Sequence, residues 1–221
     1  METIDAIALM LGAAWASGIN LYAAILMLGW LGGAGQVELP PDLQVLSNPA
    51  VMLAAGAMYA IEFFTDKIPG VDSGWDIAQT FLRIPGGALL AAGAAQGLDV
   101  GAAGELVGLL LGGGLAATSH ATKAGSRVMI NTSPEPVSNW TASVAEDLTV
   151  FAGLWTALNH PWVFVALLAL FLLAAAWLLP RIWRAIAGGL RALRRRLGGA
   201  AEARSNPAAR PPLQAPGDRR G

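Results

Sequence analysis

Six ionisable side chains fall within about two dozen positions, in the stretch Glu62-Phe-Phe-Thr-Asp66-Lys67-Ile-Pro69-Gly-Val-Asp72-Ser-Gly-Trp75-Asp76 and on to Thr80 and Arg83. Long apolar segments flank them on both sides. Glu62 and Asp66 stand one helical turn apart, as do Asp72 and Asp76, and Asp76, Thr80 and Arg83 form another row. An ionisable group inside an apolar span costs several kcal/mol unless paired or hydrated, so such groups usually line a cavity or pathway. Three chemistries are open. Arg83 facing carboxylates could bind an anionic group or form an ion pair that opens during transport. Glu62 with His120 could pass protons, because a histidine pKa moves easily across neutrality. The clustered carboxylates could hold a hard cation through oxygen ligands, though the metal is unknown. Against these stands a plain alternative. Asp72 and Asp76 also suit the start of a helix, where the dipole favours anions.

The elements that must position these residues are apolar helices. The chain has 221 residues, 55% of them hydrophobic and only 13% charged, where soluble domains have about 25% charged. Apolar runs of about 20 residues with few charges read as membrane spans. The fold class expected is therefore all-α and polytopic: a bundle of about six transmembrane helices over residues 1–180. A basic amphipathic helix over 181–197 and a disordered Arg/Pro/Ala-rich tail over 198–221 would follow. The helices expected are 4–31, 48–65, about 73–96, 104–123, 143–158 and 162–179. Ser73 with Asp76, and Ser143 with Glu146, match capping boxes that would open the third and fifth helices. Residues 124–142 read as a long polar loop.

Within the first helix, Ser17-Gly18-Ile19-Asn20 marks a place to kink, with Asn20 pointing into the bundle. Pro85 removes a backbone bond to the carbonyl near Phe81. Gly104, Gly108, Gly112, Ala116 and His120 make a small-residue row in the fourth helix, and Arg83, Gly87, Ala91 and Ala95 make one in the third. Such rows let helices approach closely.

Charge gives an orientation. Residues 1–180 hold four Lys/Arg and thirteen Asp/Glu, while residues 181–221 hold ten Arg and two acids. With six spans, Lys67, Arg83, Lys123, Arg127 and the arginines of the tail all fall on one side. The positive-inside rule then places both termini in the cytoplasm. The tail would rest on an anionic leaflet, and nucleic acid is not the expected partner. There is no cysteine, hence no disulfide and no thiolate metal site, and no cofactor is implied. Self-association is left open. Helices 2–3 and 4–5 also echo one another: Glu62, Lys67, Trp75 and Arg83 answer His120, Lys123, Trp140 and Glu146-Asp147. That pattern would be a parallel hairpin repeat.

Two segments carry a resemblance: Ser17-Gly18-Ile-Asn20-Leu-Tyr22, and Glu62-Phe-x-x-Asp66-Lys67-Ile-Pro69-x-Val-Asp72-x-x-Trp75-Asp76 through Thr80-Phe81-x-Arg83-x-Pro85-x-Gly87-Ala88. They resemble a family of bacterial integral membrane proteins known as domain of unknown function 4126, over about residues 5–180. The resemblance implies a multi-pass protein of the bacterial inner membrane but no activity. Hydrolase signatures are missing: there is no Gly-x-Ser-x-Gly elbow, no His-Glu-x-x-His and no Walker loop. The function expected is a carrier or channel for a small solute or ion. Its cavity would be lined by Asn20, Glu62, Asp66, Lys67, Asp72, Asp76, Arg83, His120, Glu146 and Asp147. A metal-dependent enzyme acting on lipid and a non-catalytic membrane scaffold are the alternatives.

Overall fold

The computed structural model describes residues 2–68, 70–98, 100–131 and 136–205. Six α-helices carry the described chain: α1 (Thr3–Gly33), α2 (Pro49–Thr65), α3 (Val71–Ala95), α4 (Gly101–Ile130), α5 (Pro136–Asn159) and α6 (Pro161–Ser205). Short 3-10 turns at Pro41–Ser47 and Gln96–Leu98 link α1 to α2 and α3 to α4. The chain divides into two compact units, Met1–Ile182 and Trp183–Gly221.

By length and composition, three segments can cross a membrane: Thr3–Gly33, Gly101–Ile130 and Pro161–Gly189. A fourth is available if the bent pair Pro41–Ser47 and Pro49–Thr65 counts as one span. Large side chains such as Leu53, Phe64, Phe81, Leu89, Leu110, Leu170 and Leu173 are exposed on the outside of the bundle. That apolar exterior suits lipid rather than water.

α1 does not run straight. Asn20 leaves the helical region, at φ −149° and ψ 98°, and the chain turns back on itself there. Asp5 and Leu9 line one small pocket together with Gln36, Val37, Glu38 and Leu158. A straight helix would hold Asp5 about 40 Å from residue 33, far beyond what the few residues to Gln36 can span. The two arms, 3–19 and 21–33, are about 25 and 20 Å long. The first arm starts and the second finishes at the end of the bundle where α5 ends, and Asn20 is the tip between them. Contacts along the arms fix this course. Gly12 meets Ala157, and Trp15 meets Gly153 near the end of α5, while Gly29 meets Leu46 and Gly32 meets Leu39. The single crossing expected for 4–31, with the amino terminus beside the 66–75 turn, is thus replaced by a hairpin of half-helices.

This hairpin is the core. Ala6, Ala8, Leu9, Ala13, Ala14, Ala16, Ala23, Ala24 and Leu28 are all but inaccessible, surrounded by α2 to α5. Alanine and glycine allow the crowding. The small-residue rows of α3 and α4 are each other's partners: a Cβ on Gly112 would overlap that of Ala91, and one on Gly108 would come 2.8 Å from the Ala91 carbonyl.

Other boundaries moved. α4 continues to Ile130 and α5 begins at Pro136, so the loop expected over 124–142 shrinks to a few residues, of which 132–135 lie outside those described. The cause is the pairing of the basic residues. Lys123 and Arg127 bond inward from successive turns instead of reaching to solvent. Neither capping box forms. Gly70, at φ 85°, precedes α3 and its first turn has no side-chain cap from residue 73, while Ser143 lies a full two turns inside α5. α6 is one helix through Pro180 to Ser205 where two segments were expected, and the second compact unit begins at Trp183, close to the boundary expected at 181. The rest of the tail, 206–221, and Pro69 of the 66–75 turn lie outside the described residues.

Candidate functional site

At the tip of the α1 hairpin, charged side chains from four other elements converge. Arg83, on α3, is wholly buried and donates to Glu62 Oε1 at 2.7 Å and to Asp76 Oδ1 at 2.7 Å. Lys123, on α4, is the hub. Its Nζ lies 2.8 Å from Asp66 Oδ2, 3.3 Å from Glu62 Oε1, 3.4 Å from Glu146 Oε2 and 3.7 Å from Asp76 Oδ1. One turn on, Arg127 makes a two-pronged pair with Glu146, at 3.0 Å to Oε1 and 2.7 Å to Oε2. Its other nitrogen donates to the Asp66 carbonyl at 2.9 Å. Asp72 is held by Asn131 Nδ2 at 2.8 Å and by the Gly70 and Ser73 amides at 2.8 and 2.6 Å. It therefore does a capping job, whereas Asp76 does not.

The hairpin tip is stitched into this network. Asn20 Oδ1 accepts from the Ala23 amide at 3.0 Å, which caps the second arm. Asn20 Nδ2 donates to Asp147 Oδ1 at 3.2 Å. The last carbonyl of the first arm, on Ile19, accepts from Lys123 Nζ at 3.2 Å. Each half-helix thus ends on the charge its dipole favours: a cation at the carboxyl end of one, a carboxylate beside the amino end of the other. Ser17 Oγ donates to the Arg83 carbonyl at 2.8 Å and Tyr22 OH to Gln79 Oε1 at 3.2 Å, which ties both arms to α3 near Pro85. Gly18 is required for that approach, because a Cβ there would run into Ser119 Oγ and the Ala116 carbonyl.

His120 is locked by its neighbours. Arg83 Nη1 lies 3.3 Å from Nδ1 and Thr80 Oγ1 lies 2.8 Å from Nε2. Arginine can only donate, so Nδ1 accepts. Thr80 gives its hydroxyl proton to the Asp76 carbonyl, so Nε2 is the protonated nitrogen. The ring is a neutral positioning group for Arg83, and no hydrogen bond joins it to Glu62 among the described residues. Lys67, in the turn after α2, donates to the Phe63 carbonyl at 2.9 Å and sits on the Phe63 ring, also at 2.9 Å. Burial pushes its pKa below the usual lysine range, opposed by the Asp147 and Asp66 carboxylates.

All ten residues singled out from the sequence fall in or against this packed cluster, and Glu62 and Arg83 are in direct contact. Lys123 and Arg127 were left out of that set, although they hold it together. Their signal was a spacing: 120, 123 and 127 continue the row that runs from Gly104 to His120 on α4. The hard-cation use finds no frame, since among the described residues no group of three or more His, Asp or Glu is placed to hold a metal. Asp72 and Asp76 are taken by the donors named above. A more open apolar groove of about 280 Å³ lies elsewhere, between Trp15, Gly153, Phe164 and Phe171.

One family model matches this sequence over residues 7–181, and its description is Domain of unknown function (DUF4126). The chain belongs to that family. Every residue of the cluster, from Ser17 to Asp147, lies inside the DUF4126 domain, and so does the whole α1 hairpin beyond its first turn. No curated protein and no solved structure matches the sequence.

Proposed function

We propose that this DUF4126 protein is a membrane carrier or channel for a small solute or ion, with its path through the charged tip of the α1 hairpin. The observation that carries this reading is the meeting of a broken helix with buried ion pairs. Interrupted backbone at membrane depth is tolerated only where protein covers it or where it lines a path. Half-helix ends that face each other deep in a bundle are a known form of solute and ion site in carriers. Charges kept at such depth mark pathways more often than they mark structure.

The arrangement here is the closed one. Arg83 ties α3 to α2, Lys123 ties α4 to α1, α2 and α5, and Arg127 closes α4 on α5. Transport requires these pairs to exchange partners with the solute or with water. Lys67, Arg83, Lys123 and Arg127 lie in the half of the bundle that holds the 66–70 turn. By the positive-inside rule that half faces the cytoplasm, in the inner membrane of a bacterium. α1 enters and leaves from the opposite face.

The protein reconstituted in lipid vesicles tests this reading. Proton, monovalent-cation, anion and small-solute fluxes are read by entrapped dyes and by swelling. At least one flux should exceed that of empty vesicles and fall at least tenfold in Arg83→Ala or Glu62→Gln protein that remains monodisperse. A carrier role is ruled out if every flux equals that of empty vesicles, or if both variants conduct like the parent. The scaffold alternative draws on the same ion pairs, since they join five elements. It predicts the second result together with a large loss of stability.

A further inference from the structure

The cluster is not electrically balanced. Glu62, Asp66, Asp72, Asp76, Glu146 and Asp147 face Lys67, Arg83, Lys123 and Arg127, an excess of two carboxylates among the described residues. An ionised carboxylate without a counter-charge in a buried setting is costly, and taking up a proton removes the cost.

Geometry singles out one of the six. Glu62, Asp66, Asp72, Asp76 and Glu146 each have a Lys or Arg nitrogen within 4.0 Å. Asp147 has none among the described residues. Its Oδ1 takes the Asn20 amide, and its Oδ2, shielded from solvent, has the Tyr59 hydroxyl for a neighbour but no basic nitrogen within 4.0 Å. Glu62 Oε2, Asp66 Oδ1 and Asp76 Oδ2, on residues at most 4% exposed, are unpartnered as well, but each of those residues has a basic nitrogen on its other oxygen. The groups that face Asp147 are Tyr59 from α2, Asp66 and Lys67 from the following turn, Lys123 from α4 and Asn20 from the hairpin tip.

We propose that Asp147 is the exchangeable proton site of this path, so that the movement of solute is coupled to protons. This rests on the carrier reading and names its coupling ion. On loading, hydronium gives its proton to Asp147 Oδ2, an O–H bond forms, water departs and the carboxylate becomes neutral. Asn20 Nδ2 donates to Oδ1 in both states, so the hairpin tip stays attached while its electrostatic surroundings change. On unloading, the O–H bond breaks toward water, and the restored anion draws on Lys67 and Lys123. That changes the balance of the Lys123 hub, which also holds Glu62, Asp66 and the Ile19 carbonyl. The proton thus acts on the pairs that close the path.

Dicyclohexylcarbodiimide is an apolar reagent that reaches carboxyls through lipid and reacts with the protonated form. The intact protein in lipid vesicles is treated across a pH series and digested, and the adduct is located by peptide mass spectrometry. The expected result is an adduct on Asp147 whose yield falls about tenfold per pH unit above the carboxyl's pKa, and which Asp147→Asn abolishes. Should that variant fail to fold, the pH profile of the parent's Asp147 peptide decides alone. No adduct at Asp147, or one independent of pH, overturns the proposal. The labelling needs no transport substrate. Flux without Asp147 labelling sinks only the proton site, and labelling without flux sinks the carrier while the proton site stands.

Discussion

Replacing Lys123 with methionine removes the hub and keeps most of the side chain's volume. Four carboxylate oxygens lie 2.8 to 3.7 Å from its ammonium. At an effective dielectric constant of about 20, each attraction is worth roughly 4–6 kcal/mol before desolvation. Desolvation offsets several kcal/mol per ion, so the net worth of the hub is far smaller than the gross attraction. Breaking a buried pair while leaving its partners charged costs about 3–5 kcal/mol. Lys123→Met should therefore lose about 3–5 kcal/mol, with the Ile19 carbonyl deprived of its donor as well. Asp66 is the nearest partner, so Asp66→Asn added to Lys123→Met should recover about 1–2 kcal/mol, the part owed to leaving that carboxylate unpaired. Reversible unfolding in mixed micelles, followed by tryptophan fluorescence, reads all four corners of the cycle. A Lys123→Met protein within about 1 kcal/mol of the parent would refute the reasoning, because buried charges left unpaired cannot be that cheap. A cycle that closes additively would show that Lys123 and Asp66 do not act on each other.

Four further outcomes follow from the same geometry. Asn20→Ala loses the cap of the second arm and should destabilise by about 1–2 kcal/mol. Asn20→Asp keeps the cap but sets a carboxylate against Asp147, so its deficit should be present at neutral pH and shrink as pH falls, as melting at pH 5 and pH 8 would show. Gly112→Val drives a branched side chain into Ala91 and should cost about 1–3 kcal/mol, read as a fall in melting temperature, whereas Gly114→Ala, with open space around it, should not. The chain has no cysteine, so single cysteines report sidedness cleanly. Thr3→Cys and Glu38→Cys should react with an impermeant maleimide from the same face of the membrane, and Ser73→Cys from the other. Opposite labelling of positions 3 and 38 would restore a straight α1.

Much of the local order was readable in the sequence. The apolar runs marked six helices, although only three, or four with the bent pair, are long and apolar enough to cross a membrane, and the small-residue rows of α3 and α4 turned out to face each other. The Ser17–Asn20 stretch was visible as a weak point. That it reverses the chain was not, because an apolar run looks the same whether it crosses once or doubles back. What decides is the tip's contact with Lys123 and Asp147, more than a hundred positions later. The same limit explains α4. Lys123 and Arg127 look like the polar edge of a helix until Asp66 and Glu146 are seen opposite them. Asp76 and Glu146 fitted capping patterns by spacing, yet Asp76 is claimed by Arg83 two turns further along α3 and Glu146 by Arg127 of α4.

The reversal at Asn20 has a consequence for how the molecule is made. A ribosome delivers residues 3–33 first, when none of the elements that later enclose the tip exists. Alone in lipid, the Ile19 carbonyl and the Asn20 Nδ2 would have no partners. A segment synthesised before its partners must therefore take its final position late, waiting at the surface or lying straight until α4 and α5 bring Lys123 and Asp147. Chains halted before residue 147 should still expose a cysteine at position 20 to a water-borne reagent, and completed chains should hide it.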